Sequence, residues 1–228
     1  MDNLPAPLPG ARVLKAIGYL LLTTLVLGSL AYWLPWIDHR TAALKLSGQD
    51  LGEFVKFVPA LQGRPLGTLR QVLYVPPLIT ASCLVLLAAN RGIPYPRPLR
   101  AGMHALALFV LSGLLPPVWG QPRDLLTPQY LLQGIAVLFG ASLVLAHGLL
   151  RQVRLVSLAW VTAALSVVAL LPIQCVFWAA RPAIWATYGS PTVHLGWGLV
   201  LHIMSWMGAL ALAIVLLCWI RTQPRRTR

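Results

Sequence analysis

Six long apolar runs, separated by short polar or proline-rich segments, constrain the fold of this chain more than any other feature. Hydrophobic residues make up 58% of its 228 residues and charged residues only 10%, whereas about a quarter of a soluble domain is charged. Apolar runs of 18 or more residues are typical of helices that cross a bilayer. The sequence therefore predicts an all-α integral membrane bundle of six transmembrane helices. The runs cover residues 16–36, 72–89, 101–118, 129–150, 155–178 and 194–220.

The whole chain, residues 1–228, is predicted to form a single membrane domain. Residues 1–11 mix prolines with apolar residues that show no period, which predicts a disordered lead, and residues 221–228 form a basic tail. Ser29 and Ala31 resemble a signal-peptide cleavage site. The first run is nevertheless long enough to span, and Trp33 and Trp36 are placed to anchor it at an interface. We therefore expect the run to be retained.

The longest polar interval, residues 37–70, carries three of the five acidic residues. Ser47 is followed three residues later by Asp50, which is close to a capping box at the start of a helix. Four apolar residues then recur at i, i+3, i+4 and i+7, which places them on one helical face. The interval therefore predicts a short amphipathic helix at about 48–58, lying on the membrane surface or capping the bundle. Its apolar face comprises Leu51, Phe54, Val55 and Val58.

The distribution of basic residues predicts the orientation of the bundle. Six spans place both termini on one side, and cytoplasmic loops carry the excess of Lys and Arg. With the termini inside, 11 basic residues fall in inner segments and 7 in outer ones. Both termini are therefore predicted to be cytoplasmic and the interval 37–70 external. The inner set is Arg12, Lys15, Arg91, Arg97, Arg100, Arg151, Arg154, Arg221, Arg225, Arg226 and Arg228; the outer set is Arg40, Lys45, Lys56, Arg64, Arg70, Arg123 and Arg181.

The charge pattern and the absence of known motifs limit the possible functions. A net charge of +13 would suggest nucleic acid in a soluble protein, but these arginines lie between apolar runs, so no nucleic-acid partner is expected. The sequence has no Gly-rich phosphate loop, HExxH or GxSxG motif, and its three cysteines form no CxxC pair. No charged residue lies in the middle of a predicted span, which argues against ion coupling through a carboxylate. A catalytic role is therefore less expected than a non-catalytic one.

Two histidines are candidate cofactor ligands. His104 lies at the inner start of the third run and His147 at the inner end of the fourth. On neighbouring antiparallel helices they would share a depth, as a bis-histidine haem b or a small metal site requires. The alternative is that each imidazole bonds a carbonyl or water near the interface. Apart from this haem alternative, no cofactor is expected.

The sixth run carries a candidate buried polar stripe. His194, Gly198 and His202 recur every four residues, so one face of a helix would hold two imidazoles with a glycine between them. At a rise of about 1.5 Å per residue the two histidines would be about 12 Å apart, so they could not share an ion. Glycine on such a face permits close approach of a neighbouring helix. The stripe is therefore expected to face protein, through tight packing and hydrogen bonds across the bundle.

Two segments resemble a loose set of uncharacterised bacterial polytopic inner-membrane proteins. LPWIDHRTAALKLSGQDLGEF ends a span in Pro-Trp and continues into an external Ser-Gly-x-Asp-Leu segment, and GWGLVLHIMSWMGAL is similar to the last span of that set. The resemblance covers about a quarter of the chain. It implies a bacterial inner-membrane setting and no activity, cofactor or site.

These features favour a non-catalytic, multi-pass membrane component that acts through a lipid or a membrane-protein partner, which includes a second copy of the chain. The first alternative is a b-type haem or redox protein that uses His104 and His147. The second is a permease-like transport unit, for which the sequence offers only a few polar residues within the runs. These are Thr23, Thr24, Thr80, Gln133, Ser166, Gln174 and His202.

Overall fold

The structure is a computed structural model that describes residues 9–39, 44–61, 66–115, 123, 127–128, 130–189 and 193–223. Within these residues the fold is mostly helical, with one small sheet. The helices are α1 (Pro9–Trp33), α2 (Gly48–Phe54), α3 (Leu66–Ala89), α4 (Arg97–Ser112), α5 (Leu131–Leu145), α6 (His147–Leu150), α7 (Leu155–Ala169), α8 (Leu171–Cys175), α9 (Arg181–Tyr188) and α10 (Trp197–Thr222); the strands are β1 (Pro35–His39), β2 (Leu44–Ser47) and β3 (Val193–Leu195).

Helix α3 lies at the centre of the bundle. It packs against α1, α4, α5 and α7. In the most apolar part of its stretch Arg70–Ala89, 78% of the residues are buried. The corresponding share is 33% in Gly10–Trp33 and 33% in Trp197–Thr222. Leu73, Leu84 and Leu87 are fully buried. Helix α10 packs between α1 and α7, and α4 packs against α5.

Four helical segments are long and apolar enough to cross a membrane: Gly10–Trp33, Arg70–Ala89, Leu155–Tyr188 and Trp197–Thr222. The predicted helical class is confirmed. The prediction of six spans is not, because α4 and α5 have only 16 and 15 residues. The predicted third run also includes residues 116–118, which lie outside the described residues. The fourth run is divided at Ala146 into α5 and α6.

The N-terminal lead is shorter than predicted. Helix α1 begins at Pro9, so residues 9–11 are helical. Proline is tolerated in the first turn of a helix, where its missing N–H would have no intrahelical partner. The remainder of the lead, residues 1–8, and residues 224–228 of the basic tail lie outside the described residues.

A three-stranded antiparallel sheet, which the sequence did not predict, connects the polar interval to the start of α10. The strand order is β2-β1-β3. Its central strand holds the fully buried Trp36, whose indole N–H donates to the Ala31 carbonyl at 2.9 Å. Gly196 approaches this strand so closely that a Cβ atom would lie 2.1 Å from the Pro35 oxygen. The sheet thus fixes where α1 ends and α10 begins.

The predicted helix in the polar interval forms at the predicted start. The Ser47 hydroxyl accepts from the Asp50 N–H, and the Asp50 carboxylate accepts from the Ser47 N–H, which completes a capping box. The helix α2 is followed by a 3₁₀ turn, Val55–Phe57. Leu51, Val55 and Val58 of the predicted apolar face are buried in a second hydrophobic cluster with Trp36. The helix therefore packs on the protein through that face.

Candidate functional site

A cavity of about 630 Å³ lies where α3 ends and α4 begins, beside α6. Its lining is dominated by cations. Among the described residues, its lining comprises four arginines, two histidines and three alanines, and none of these is acidic. We call it the cationic cavity. Its lining residues are Ala88, Ala89, Arg91, Arg97, Arg100, Ala101, His104, His147 and Arg151.

The helices on either side place these cations on shared faces. Helix α4 begins after Pro96, whose backbone angles are extended. A second proline lies in the first turn of the helix. Arg97, Arg100 and His104 then follow at i, i+3 and i+7, which is the spacing of one helical face. His147 and Arg151 are four residues apart across α6 and its end. Both helix faces therefore turn basic residues toward the same space.

Arg100 organises the connection between α3 and α4. Its guanidinium donates to the carbonyls of Asn90 at 2.8 Å and Ile93 at 2.6 Å, and also to that of Ala88. Its Nε donates to the Tyr95 carbonyl at 3.2 Å. Carbonyls at a helix C-terminus have no intrahelical partner and carry partial negative charge, so a cation there stabilises the helix end. The Arg100 side chain is therefore occupied in positioning the cavity wall.

The other three arginines are available to a ligand. Arg91, Arg97 and Arg151 are exposed. Among the described residues, no carboxylate forms an ion pair with any of them, because the ion pairs present all involve Glu53. Arg151 donates to Nε2 of His147 at 3.4 Å. Unpaired cations in one concave site raise the local positive potential, which attracts anions.

The structure brings the two predicted histidines together. The ring centroids of His104 and His147 are 5.1 Å apart, and the rings meet edge to face at 71°. Nδ1 of His104 donates to the Arg100 carbonyl at 2.7 Å, and Nδ1 of His147 donates to the Val144 carbonyl at 3.1 Å. A carbonyl can only accept, so in both rings the N–H is assigned to Nδ1. Nε2 of His104 is buried and has no partner among the described residues.

The surroundings favour an anion over a cation or a haem. The two rings are in contact, so no porphyrin plane fits between them in this arrangement. Four nearby guanidinium groups would repel a metal ion. In addition, no group of three or more His, Cys, Asp or Glu side chains among the described residues could hold one. A phosphate or carboxylate group, by contrast, matches the fork of donors that arginine presents. The role of His104 and His147 as haem ligands stays a prediction.

The sequence contains a signal for this cavity beyond the number of its basic residues. Arg100 with His104, and His147 with Arg151, are both pairs at i, i+4. Such pairs share a helix face. The positive-inside argument counted these arginines only as topology signals, although the same spacing placed each beside a candidate histidine.

A second polar cluster, which the sequence did not predict, connects α2 to the bundle. The Glu53 carboxylate accepts from Lys56 at 2.5 Å, from Arg70 at 2.6 Å and from the Tyr74 hydroxyl. Arg70 also donates to Gln133 at 3.1 Å. We call these residues the Glu53 cluster. Two local spacings in this cluster were visible in the sequence, Glu53 with Lys56 at i, i+3 and Arg70 with Tyr74 at i, i+4. Their contact with each other was not visible, because Glu53 is 17 residues away from Arg70.

The predicted polar stripe is wrong at its first residue. His194 lies in strand β3, pairs with Asp38 of β1 and is exposed, because α10 begins only at Trp197. Gly198 and His202 do share a buried face of α10. A Cβ atom on Gly198 would lie 2.6 Å from the carbonyl carbon of Leu34. The predicted close approach is therefore present, to the chain segment after α1.

His202 bonds to a backbone carbonyl at the break between α7 and α8. The N–H of Ile173 bonds to the Leu170 carbonyl and not to the Ala169 carbonyl. The residue before Ile173 is Pro172, which has no N–H. The freed Ala169 carbonyl accepts from Nε2 of His202 at 2.9 Å. A buried carbonyl without a partner would be costly. His202 therefore has a structural role. Its bond to Ala169 is a hydrogen bond across the bundle, as the sequence predicts for this stripe.

Several polar residues proposed for a transport path bond to the backbone of their own helix. Thr23 donates to Tyr19, Thr24 to Leu21 and Ser166 to Thr162. Hydroxyls in helices commonly satisfy themselves in this way. Nothing in this arrangement favours a permease.

Comparisons with known protein families, with characterised proteins and with solved structures found no match to this chain.

Proposed function

We propose that this protein is a multi-pass membrane protein that binds the phosphate group of an anionic lipid in the cationic cavity and acts without catalysis. The observation that carries the proposal is the cluster of four arginines and two histidines, with no acidic residue among the described residues of the lining. It lies at the end of α3, whose stretch Arg70–Ala89 is long and apolar enough to cross a membrane. Basic pockets between transmembrane helices are known to hold lipid headgroups on the cytoplasmic side.

The proposed orientation agrees with this ligand. We propose six spans in a bacterial inner membrane, with both termini cytoplasmic and the α2 segment external. Arg91, Arg97 and Arg151 then lie at the cytoplasmic surface, where anionic lipids attract basic segments by about 1 kcal/mol per residue. A membrane-protein partner or a second copy of the chain remains compatible with this role, because the lipid site occupies only one end of the bundle.

Removal of the three available arginines should abolish lipid selectivity. In Arg91→Gln, Arg97→Gln, Arg151→Gln, the loss of charge-assisted hydrogen bonds to the phosphate, each worth about 1.5 kcal/mol or more, predicts at least roughly 100-fold weaker binding of anionic lipid. Binding would be measured by native mass spectrometry or tryptophan fluorescence in nanodiscs that contain phosphatidylglycerol, with phosphatidylcholine as the neutral reference.

The control for this experiment removes the same charge elsewhere. Arg12→Gln, Lys15→Gln, Arg154→Gln changes three exposed basic residues that do not line the cavity. It should retain affinity within about threefold, which is less than 1 kcal/mol. Equal losses in the two variants would show general surface attraction and contradict the proposed site.

The orientation has its own test. In a background with the cysteines replaced by alanine, Lys45→Cys and Gln223→Cys place single thiols at exposed positions of β2 and of the residue after α10. An impermeant maleimide should label position 45 in intact cells and position 223 only after lysis. The reverse pattern would invert the orientation, and labelling of both in intact cells would contradict an even number of spans.

A further inference from the structure

We infer that the cationic cavity selects a phosphate monoester, a terminal phosphate on a lipid, over a phosphate diester. This inference rests on the proposed function, since it specifies the ligand of the same site. Three properties of the cavity carry it: its net charge, the free imidazole nitrogen of His104, and the chemistry of its remaining walls.

The charge of the cavity exceeds what a diester can neutralise. Arg91, Arg97 and Arg151 are exposed and have no carboxylate partner among the described residues, and Arg100 adds a fourth positive charge. A phosphate monoester carries a charge of about −1.5 to −2 at pH 7, whereas a diester carries a single negative charge. A monoester also has three terminal oxygens, so more than one guanidinium can bind it through paired hydrogen bonds.

The free nitrogen of His104 discriminates between the two by hydrogen bonding. Its Nδ1 is held by the Arg100 carbonyl, so only the buried Nε2 is left for a ligand. A monoester phosphate that keeps one proton has a P–OH group, which can donate to this atom of the neutral ring. The phosphate of a diester has no O–H to donate. With a diester the neutral ring would keep an unsatisfied buried nitrogen, which is unfavourable.

The remaining walls fit a small headgroup. Apart from its arginines and histidines, the described part of the lining consists of Ala88, Ala89 and Ala101. None of these described residues offers a side-chain hydroxyl, amide or carboxylate group to bind the hydroxyls of a glycerol or sugar headgroup. The alanine methyl groups instead suit the apolar chain that follows a terminal phosphate.

The test compares three probes on the full-length protein in nanodiscs. The probes are phosphatidic acid, a monoester; phosphatidylglycerol, a diester; and inorganic phosphate. We expect phosphatidic acid to bind at least tenfold more tightly than phosphatidylglycerol, and millimolar inorganic phosphate to displace neither. Equal affinity for the two lipids overturns the inference and leaves the proposed function intact. Binding of neither lipid overturns both, and displacement of both by micromolar phosphate assigns the site to a soluble ligand and overturns the lipid source.

A variant of His104 isolates the imidazole. His104→Phe keeps a ring of similar shape and removes Nε2, so the preference for phosphatidic acid over phosphatidylglycerol should fall by about fivefold relative to the parent, the value of one hydrogen bond. His194→Phe, at an exposed position in β3, should retain the full preference. Unchanged selectivity in His104→Phe would overturn the role of this nitrogen. Should that variant fail to fold, the comparison of the two lipids on the parent protein still decides the inference.

Discussion

Gly198→Ala should lower the free energy of unfolding by about 3 kcal/mol, the upper end of the usual cost of overpacking. The new Cβ would lie 2.6 Å from the carbonyl carbon and 2.7 Å from the oxygen of Leu34. These are backbone atoms, so no side-chain rotation relieves the contact. The segment after Leu34 cannot shift easily, because the Gly196 N–H donates to the Trp36 carbonyl at 2.8 Å. The loss would appear as a lower unfolding midpoint in a detergent or denaturant titration.

The matched control is the same substitution at Gly102 of α4. A Cβ there meets no atom within 4 Å, and the residue is exposed. Alanine has a higher helix propensity than glycine, so Gly102→Ala should raise stability by up to about 1 kcal/mol. A Gly198→Ala protein as stable as Gly102→Ala would mean that α10 does not pack against the end of α1.

The comparison of these two glycines shows which parts of the fold were predictable. Helix positions follow from the length and period of apolar runs, which are local properties. The capping box at Ser47 and Asp50 was likewise predictable, because both partners lie within one turn. His194 was wrongly placed in the helix, because the four-residue period already begins before the first residue of α10. That start is set by the pairing of β3 with β1, a contact between distant segments that no local pattern encodes.

The candidate site was predictable to the same extent. The proximity of His104 and His147 followed from antiparallel helices of comparable length, and the structure agrees with it. The different roles of the arginines could not be predicted from the sequence. The positive-inside rule treats Arg91 and Arg100 alike, whereas the structure assigns Arg100 to four backbone carbonyls and leaves Arg91 exposed. Which cation is structural and which can bind a ligand depends on the path of the chain between α3 and α4.

Glu53→Gln should destabilise the protein by roughly 3 kcal/mol, the cost of removing one partner of a buried ion pair. The side chain of Arg70 is only 5% exposed and that of Glu53 15%. Without the carboxylate, the buried Arg70 guanidinium would lie beside a neutral amide, and among the described residues Gln133 is a further side-chain acceptor for it. Lys56 is 24% exposed and can turn toward water. The measurement is the unfolding midpoint of parent and variant under the same conditions.

The same substitution predicts a pH dependence. Burial alone would raise the pKa of Glu53, but hydrogen bonds from Lys56, Tyr74 and Arg70 outweigh it and hold the pKa below the usual value of 4.5. A group with a lowered folded pKa stabilises the fold above its unfolded pKa, and this contribution is lost as the pH falls through the folded value. The stability difference between parent and Glu53→Gln should therefore be constant above about pH 5 and shrink steadily below 4.5.

The control and the second variant separate the ion pair from general effects of losing a carboxylate. Asp38→Asn makes the same chemical change in β1, where Asp38 forms no ion pair with the described residues. This substitution should therefore lower the free energy of unfolding by less than about 1 kcal/mol. Replacing both members of a buried pair by neutral groups is often close to neutral. Arg70→Met added to Glu53→Gln should therefore recover much of the lost stability. If the double variant is less stable than Glu53→Gln alone, Arg70 stabilises the bundle through Gln133 and its stacking on Tyr130, at 4.9 Å from the ring centroid, rather than through Glu53.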